Sequence, residues 1–313
     1  MPSSIETSYV ENGRTRQGSS EEDSEYGSMP ASAILPEVVF TSAHLKYLNQ
    51  QLSNLEPEDI LRWCLISLPG LYQTTALGLS GLFPPTCKQC KLTIVGLVTI
   101  DMLSRISPER HPVPLIFIDT LHHFPETLSL LSKVQQRYPT AEFTIFHPEG
   151  TPTAALFTTK HGPELWSKNL DLYDYLVKIE PARRAYAQLN VRAVLTGRRE
   201  SQGGARGSLD IIETDETGLI KINPLANWKF EQVERYIRIY RVPYNELLDR
   251  GYRSVGDWHS TVPVKEGEDE RAGRWKGQEK TECGLHENYL AMRVKANLEA
   301  AQRAKADGEG IVV

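Results

Sequence analysis

The chain predicts an α/β protein built on a doubly wound, mostly parallel sheet, followed by a tail that carries a reactive thiol. Three observations lead there. Short apolar runs of strand character alternate with helical patterns from Leu71 to Gly197. The polar pairs Thr74-Thr75, Asp119-Thr120 and Arg198-Arg199 each follow one of those runs. Cys283 sits in Glu282-Cys283-Gly284-Leu285-His286, a polar stretch unlike the apolar patterns that house structural cysteines. Strands separated by helices run parallel, with helices on both faces. Ligands then bind beyond the carboxyl ends of the strands, so the three polar pairs are expected to converge on one crevice.

Residues 1–33 are rich in Ser, Glu and Gly and read as a disordered acidic leader, too poor in apolar side chains to offset the entropy of ordering. Two amphipathic helices are expected from near Thr41. In the second, Pro57 suits the first helical position, Glu58 and Asp59 the first turn, and Ile60, Leu61, Cys64 and Leu65 share one face. Cys64 is therefore a core residue. Leu71–Leu77 reads as a strand entering a glycine-containing loop, Leu97–Arg105 as a helix and Pro114–Asp119 as a buried strand. Helix over 126–137, strand over Glu142–Phe146, helix over Arg183–Asn190 and strand over Ala193–Gly197 follow. Ile211-Ile212, Leu219–Ile222 and a helix over Phe230–Tyr240 complete an α/β domain assigned to 34–255. Gly256–Gln278 is rich in glycine and charge and is expected to stay loosely packed. Residues 256–313 form the tail, with an exposed helix over 288–305.

The composition is 40% hydrophobic and 24% charged, enough to bury a full core. A net charge of −5 argues against nucleic-acid binding. Four cysteines suggest no disulfide framework, hence a reducing compartment. No apolar run is long enough to span a bilayer, and the N-terminus lacks the regions of a signal peptide. A cytosolic protein without membrane or nucleic-acid partners is expected.

Gln73–Gly78 suits a loop whose N–H groups and hydroxyls hold an anion at a helix N-terminus, or an ordinary strand-to-helix turn. It is not a Walker loop, because no Gly-Lys-Ser/Thr follows. Gly197–Arg206 places three arginines among glycines, as bidentate phosphate or sulfate binding requires; the alternative is a solvated basic loop. His122 and His123 are adjacent at a strand end, where side chains point apart, so no metal site is expected. Trp258 and His259 either stack on or hydrogen-bond to a ligand, or anchor the tail to the body. Around Cys283, Lys280 and a protonated His286 favour the thiolate, while Glu282 opposes it.

These pieces, in this order, resemble the 3′-phosphoadenylyl-sulfate (PAPS) reductases, those of fungi in particular, over about residues 40–290. The resemblance rests on Gln73-Thr74-Thr75, Ile118-Asp119-Thr120 with Phe124-Pro125-Glu126-Thr127, Lys178-Ile179-Glu180-Pro181, the Arg198–Arg206 loop, Gly251–Thr261 and Glu282–His286. It implies an adenine nucleotide α-hydrolase-like sheet and a homodimer, with thioredoxin or glutaredoxin as electron donor. It also implies Cys283 as nucleophile toward the sulfuryl sulfur of PAPS, with His286 beside it. Thr74, Thr75, Gly78, Asp119, Lys178, Arg198, Arg199, Arg206, Trp258 and His259 are the expected substrate-binding set. Some adenylyl-sulfate (APS) reductases hold a [4Fe–4S] cluster on a Cys-Cys pair and a downstream Cys-x-x-Cys. Neither stands at the matching places here, so no cluster or other bound cofactor is expected and PAPS is favoured over APS. The rival readings are a cluster-free APS reductase, an adenylyl-transferring enzyme on the same sheet, and a nucleotide-binding protein inactivated by an insert.

That insert is the one departure from the pattern. Gly81–Val95 separates Leu79-Ser80 from Gly96-Leu97-Val98-Thr99-Ile100-Asp101, and removing it restores the family's run. It reads as an in-frame retained intron or a gene-model error. Its Cys87-Lys88-Gln89-Cys90 is half a zinc spacing with no second pair nearby. The insert is expected to part the anion loop from the helix whose N-terminal dipole that loop would use.

Overall fold

The computed structural model describes residues 39–75, 95–200, 209–252, 254–265, 273–274 and 291–298. The expected leader, Gly78, the insert up to Ile94, Arg206, Cys283 and His286 lie outside the described residues.

Two helices open the described chain. Thr41 caps α1 (Ser42–Leu52), accepting a hydrogen bond from the His44 amide. In α2 (Pro57–Ser67) Pro57 begins the helix, Glu58 and Asp59 lie in its first turn, and Ile60, Leu61 and Cys64 are buried. Cys64 is core, as expected, and burial pushes its thiol pKa up to about 12, which leaves it unreactive.

The sheet comprises β1 (Leu71–Thr75), β2 (Leu115–Ile118), β3 (Phe143–Phe146), β4 (Ala193–Leu195), β5 (Ile212–Thr214) and β6 (Ile220–Ile222), in the order β3-β2-β1-β4-β6-β5. All neighbours pair in parallel except β5 and β6, which form an antiparallel hairpin. Strand order reverses between β1 and β4, so the ligand crevice of a doubly wound sheet belongs at their carboxyl ends. Alternate residues feed two cores. Leu115, Phe117, Ala193 and Leu195 join the larger one, with α1, α2, α3 (Val95–Ile106), part of α4 (Pro125–Arg137) and α9 (Phe230–Tyr240). Ile116, Ile118 and Val194 pack on Ala182 and Ala185 of α8 (Glu180–Gln188) on the opposite face. Within the larger core, buried Asp101 accepts hydrogen bonds from the Tyr138 and Tyr236 hydroxyls, both at 2.9 Å, tying α3 to the end of α4 and to α9.

Three findings differ from the sequence expectations. The first concerns the insert. The Gln73 amide donates to the Gly96 carbonyl at 2.7 Å, and a Cβ on Gly96 would lie 3.6 Å from Gln73 Nε2 and from Thr75 Oγ1. The insert therefore does not part the start of the loop, Gln73–Thr75, from the first turn of α3: two ends that pack together need only a long connection, whose closure entropy grows slowly with length.

The second is the segment from Gly256 onward. Ser254, Val255, Asp257 and Thr261 are each at most 3% exposed, so 254–261 packs into the body rather than lying loose. Its polar side chains are buried because each finds a partner there. The third is the C-terminal helix, described over 291–298. It is not wholly exposed: Ala296 is buried with Phe157, Leu165, Leu172, Tyr173 and Val177, and Lys295 pairs with Asp171. That third cluster rests on helices the sequence reading left unassigned: α5 (Ala154–His161), α6 (Leu165–Lys168), α7 (Leu170–Asp174) and a π-turn, Tyr175–Ile179.

Candidate active site

At the carboxyl end of β1, Thr74 shares a 2.9 Å hydrogen bond with the Tyr186 hydroxyl of α8, and Thr75 is buried beside Gly96. At the end of β4, the Thr196 hydroxyl donates to Asn223 Oδ1 at 2.5 Å and accepts the Arg198 amide at 3.3 Å. The Arg198 guanidinium pairs with Glu213 of β5, and Arg199 is only 1% exposed. The described start of this arginine loop is thus no solvated basic loop. Both residues follow the carboxyl end of β4, one of the two strands at the switch point, with the Arg198 guanidinium held toward β5 by Glu213.

At the end of β2, Asp119 Oδ1 accepts the Leu121 amide at 2.8 Å and supports Leu121 in a left-handed conformation, φ 67°. Its other oxygen lies 3.5 Å from His147 Nδ1. The paired histidines diverge as expected. His123 packs against Phe117 at 5.3 Å, whereas His122 lies among Phe157, Trp166, Tyr173 and His259. Among the described residues no group of three or more His, Cys, Asp or Glu side chains is placed to hold a metal ion.

Beside this edge lies a buried ionic network. The Lys178 ammonium, carried by the π-turn, lies 2.5 Å from Asp174 Oδ1 and 2.8 Å from Asp257 Oδ2. Asp257 also accepts the Thr120 hydroxyl at 2.5 Å and the Tyr173 hydroxyl at 3.2 Å. His259 Nε2 lies 2.9 Å from the Tyr173 oxygen. Since the single Tyr173 proton goes to the Asp257 carboxylate, the proton of that second bond must come from His259, which assigns its Nε2–H tautomer. The imidazole stacks on Trp166 at 4.3 Å and 12°, and the half-exposed Trp258 meets Trp166 edge-on at 5.6 Å. Trp258 and His259 therefore anchor their segment to the body.

Burial by itself would raise the Asp257 carboxyl pKa. The charges of Lys178 and His123 and the hydrogen bonds from Lys178 and Thr120 outweigh it and hold the group below the usual carboxylate range. For His259 burial dominates and lowers the pKa to about 4, with Asp257 opposing and Lys178 assisting. His259 is thus neutral near pH 7. Its folded pKa lies below the unfolded value of about 6.5. The stability it contributes is complete above that pH and is lost as pH falls toward 4. Thermal melts between pH 7.5 and 4.5 should decline more steeply in the wild type than in His259→Gln, by about 1–2 kcal/mol; parallel curves would refute this linkage.

The fold thus sets Thr74, Thr75, Asp119, Lys178, Arg198 and Arg199 along one edge of the sheet, with His259 near Lys178 and Trp258 against Trp166. Asp174, Tyr173 and Asp257 went unassigned in the sequence reading. The Asp174–Lys178 spacing of four on a helix was a signal for that pair; nothing local marked Asp257 as its second carboxylate.

Comparison with known proteins gives a consistent picture. The family model described as "Phosphoadenosine phosphosulfate reductase domain" matches residues 90–263, beginning inside the insert. A phosphoadenosine phosphosulfate reductase of Emericella nidulans is 56% identical over 288 residues, covering 91% of this chain and 89% of the relative. The corresponding protein of Saccharomyces cerevisiae is 52% identical over 256 residues, covering 80% of this chain and 92% of its own. The crystal structure of PAPS reductase from Candida auris, a phosphate complex, superposes with a TM-score of 0.62 at 49% identity. It covers 72% of this chain and 100% of that one.

Proposed function

The chain belongs to the phosphoadenosine phosphosulfate reductase family, and from that premise we propose that it reduces PAPS to sulfite and adenosine 3′,5′-bisphosphate in sulfate assimilation. The observation that carries this reading is that Arg198 and Arg199 follow the carboxyl end of β4 at the switch point, while Lys178 is tied through Asp257 to Thr120 at the end of β2. A nucleotide with phosphates on both sides of its ribose and a terminal sulfate needs several fixed cations. These also stabilise the charge that develops on the departing phosphate.

In the proposed reaction the Cys283 thiolate attacks the sulfuryl sulfur. The bond from that sulfur to the bridging oxygen breaks, and its electron pair leaves with adenosine 3′,5′-bisphosphate. A thioredoxin thiolate then attacks Sγ of the S-sulfocysteine, releasing sulfite and forming a mixed disulfide. The second thioredoxin thiol resolves that disulfide and restores the Cys283 thiolate. Thioredoxin is the proposed electron donor, because no other cysteine stands near Cys283 in the sequence to act as a resolving thiol. Among the described residues no helix is long and apolar enough to cross a membrane.

Supplying PAPS or APS with reduced thioredoxin and measuring sulfite tests the reading. Release from PAPS at the higher kcat/KM is expected; preference for APS would turn it toward the cluster-free APS reductase, and no release from either would refute it. The insert is tested separately. Because β1 and α3 already touch across it, deleting 81–95 should leave the melting temperature nearly unchanged while lowering KM for PAPS; an unchanged KM would mean the insert lies clear of the nucleotide. Most transcripts should lack its codons if it is a retained intron.

A further inference from the structure

We propose that Asp257 is a positioning residue for this reaction: it aims the Lys178 ammonium at the carboxyl edge of the sheet and locks the segment preceding Cys283 to the end of β2. The inference rests on the reading that the chain reduces PAPS, and it starts from connectivity. One carboxylate of 1% exposure joins three parts of the fold. Through Oδ1 it holds Thr120, next to Asp119 at the crevice; through Oδ2 it holds Lys178 of the π-turn and Tyr173 of α7. Its own segment continues into Trp258 and His259, which close on Trp166 and Tyr173. The helix at 291–298, on the far side of Cys283 in sequence, meets the same cluster through Ala296. The described segments before and after Cys283 therefore dock around one residue, Tyr173, whose hydroxyl donates to Asp257.

Stability alone does not account for this arrangement. Three buried charges bring desolvation costs that apolar side chains of similar volume avoid, and such replacements are often neutral or stabilising. The π-turn that carries Lys178 breaks the regular helical hydrogen bonding, a feature frequent at functional sites. What the charged arrangement provides, and an apolar one does not, is a cation of fixed direction two hydrogen bonds from the end of β2. Among the described residues the groups facing Lys178 are Asp174 on the adjoining helix, Asp257, Tyr173, and the rings of His122 and His259, while His123 acts on the same Asp257. Asp174 and Asp257 are the carboxylates that keep it protonated.

The test is steady-state and single-turnover kinetics of Asp257→Asn in the full-length chain, with PAPS and thioredoxin. The amide keeps the shape and removes the charge. Expected are a fall in kcat of about 10-fold to 100-fold with KM little changed, and a proportionate slowing of S-sulfonate formation on Cys283. Lys178 also loses one of its two carboxylates, so its ammonium deprotonates more easily and the alkaline limb of the kcat–pH profile moves to lower pH. A purely structural role would reduce the active fraction and leave that limb in place. If Asp257→Asn does not fold, Asp174→Asn removes the other carboxylate without touching the 254–261 segment and must shift the limb in the same direction. An unshifted limb in the folded variant overturns the positioning role while wild-type sulfite release stands. A wild type that makes no sulfite defeats the underlying reading instead.

Discussion

Cys283→Ser is expected to abolish sulfite release, with a loss of roughly 1,000-fold or more, while the nucleotide still binds. A thiol ionises far more readily than a hydroxyl near neutral pH, and its thiolate is an intrinsically strong nucleophile. A serine hydroxyl is almost wholly protonated at neutral pH and is a far weaker nucleophile, and an oxygen ester of sulfate cannot pass sulfite to a thiol. Intact-mass measurement after mixing with PAPS and no reductant should show one added sulfo group on the wild type and none on Cys283→Ser. Calorimetric titration with adenosine 3′,5′-bisphosphate should show similar affinities for both. An unmodified Cys283 in wild-type protein that demonstrably binds PAPS would overturn the covalent route.

Lys178→Met is expected to be the most damaging substitution for the fold itself. It leaves Asp174 and Asp257 buried at 0% and 1% exposure with their shared cation gone. Breaking a buried pair by removing one partner typically costs about 3–5 kcal/mol, because the remaining charge is no longer compensated. Against a total stability of about 5–15 kcal/mol that is a large fraction. Urea unfolding should register it as a lower midpoint with a similar slope. Adding Asp257→Asn to Lys178→Met should recover part of the loss, since one uncompensated charge then disappears. A double variant no more stable than Lys178→Met would show that the cost lies in packing, not charge. Turnover should not return with stability, because the recovered protein lacks the ammonium.

Much of the fold was legible locally. The strands Leu115–Ile118 and Ala193–Leu195 are short apolar runs bounded by polar residues. The helix Pro57–Ser67 begins at its proline, and Phe230–Tyr240 shows a clean amphipathic pattern. The stretch 154–179 was not legible, because its helices are short and its π-turn has no local periodicity to find. The packing of Gly256–Thr261 escaped notice for a related reason. A glycine- and charge-containing run reads as loop, and only distant partners such as Thr120, Lys178 and Tyr173 allow its aspartate to be buried. For the site, the positions of Thr74-Thr75, Asp119 and Arg198-Arg199 after successive strands were visible in the chain, and the sheet brings them to one edge as strand parity requires.

What this sequence determined by itself is therefore the doubly wound sheet, the polar strand ends, the core role of Cys64 and the candidacy of Cys283, all of which follow from local pattern and side-chain chemistry. Only the tertiary structure decided that Lys178 is shared between two carboxylates, that Arg198 rests on Glu213, that Trp258 and His259 close on Trp166, and that the insert leaves β1 against α3. The physical reason is that charge partners are chosen by distance in space. Asp257 and Lys178 meet because burial leaves each with few alternatives, and no spacing along the chain encodes that.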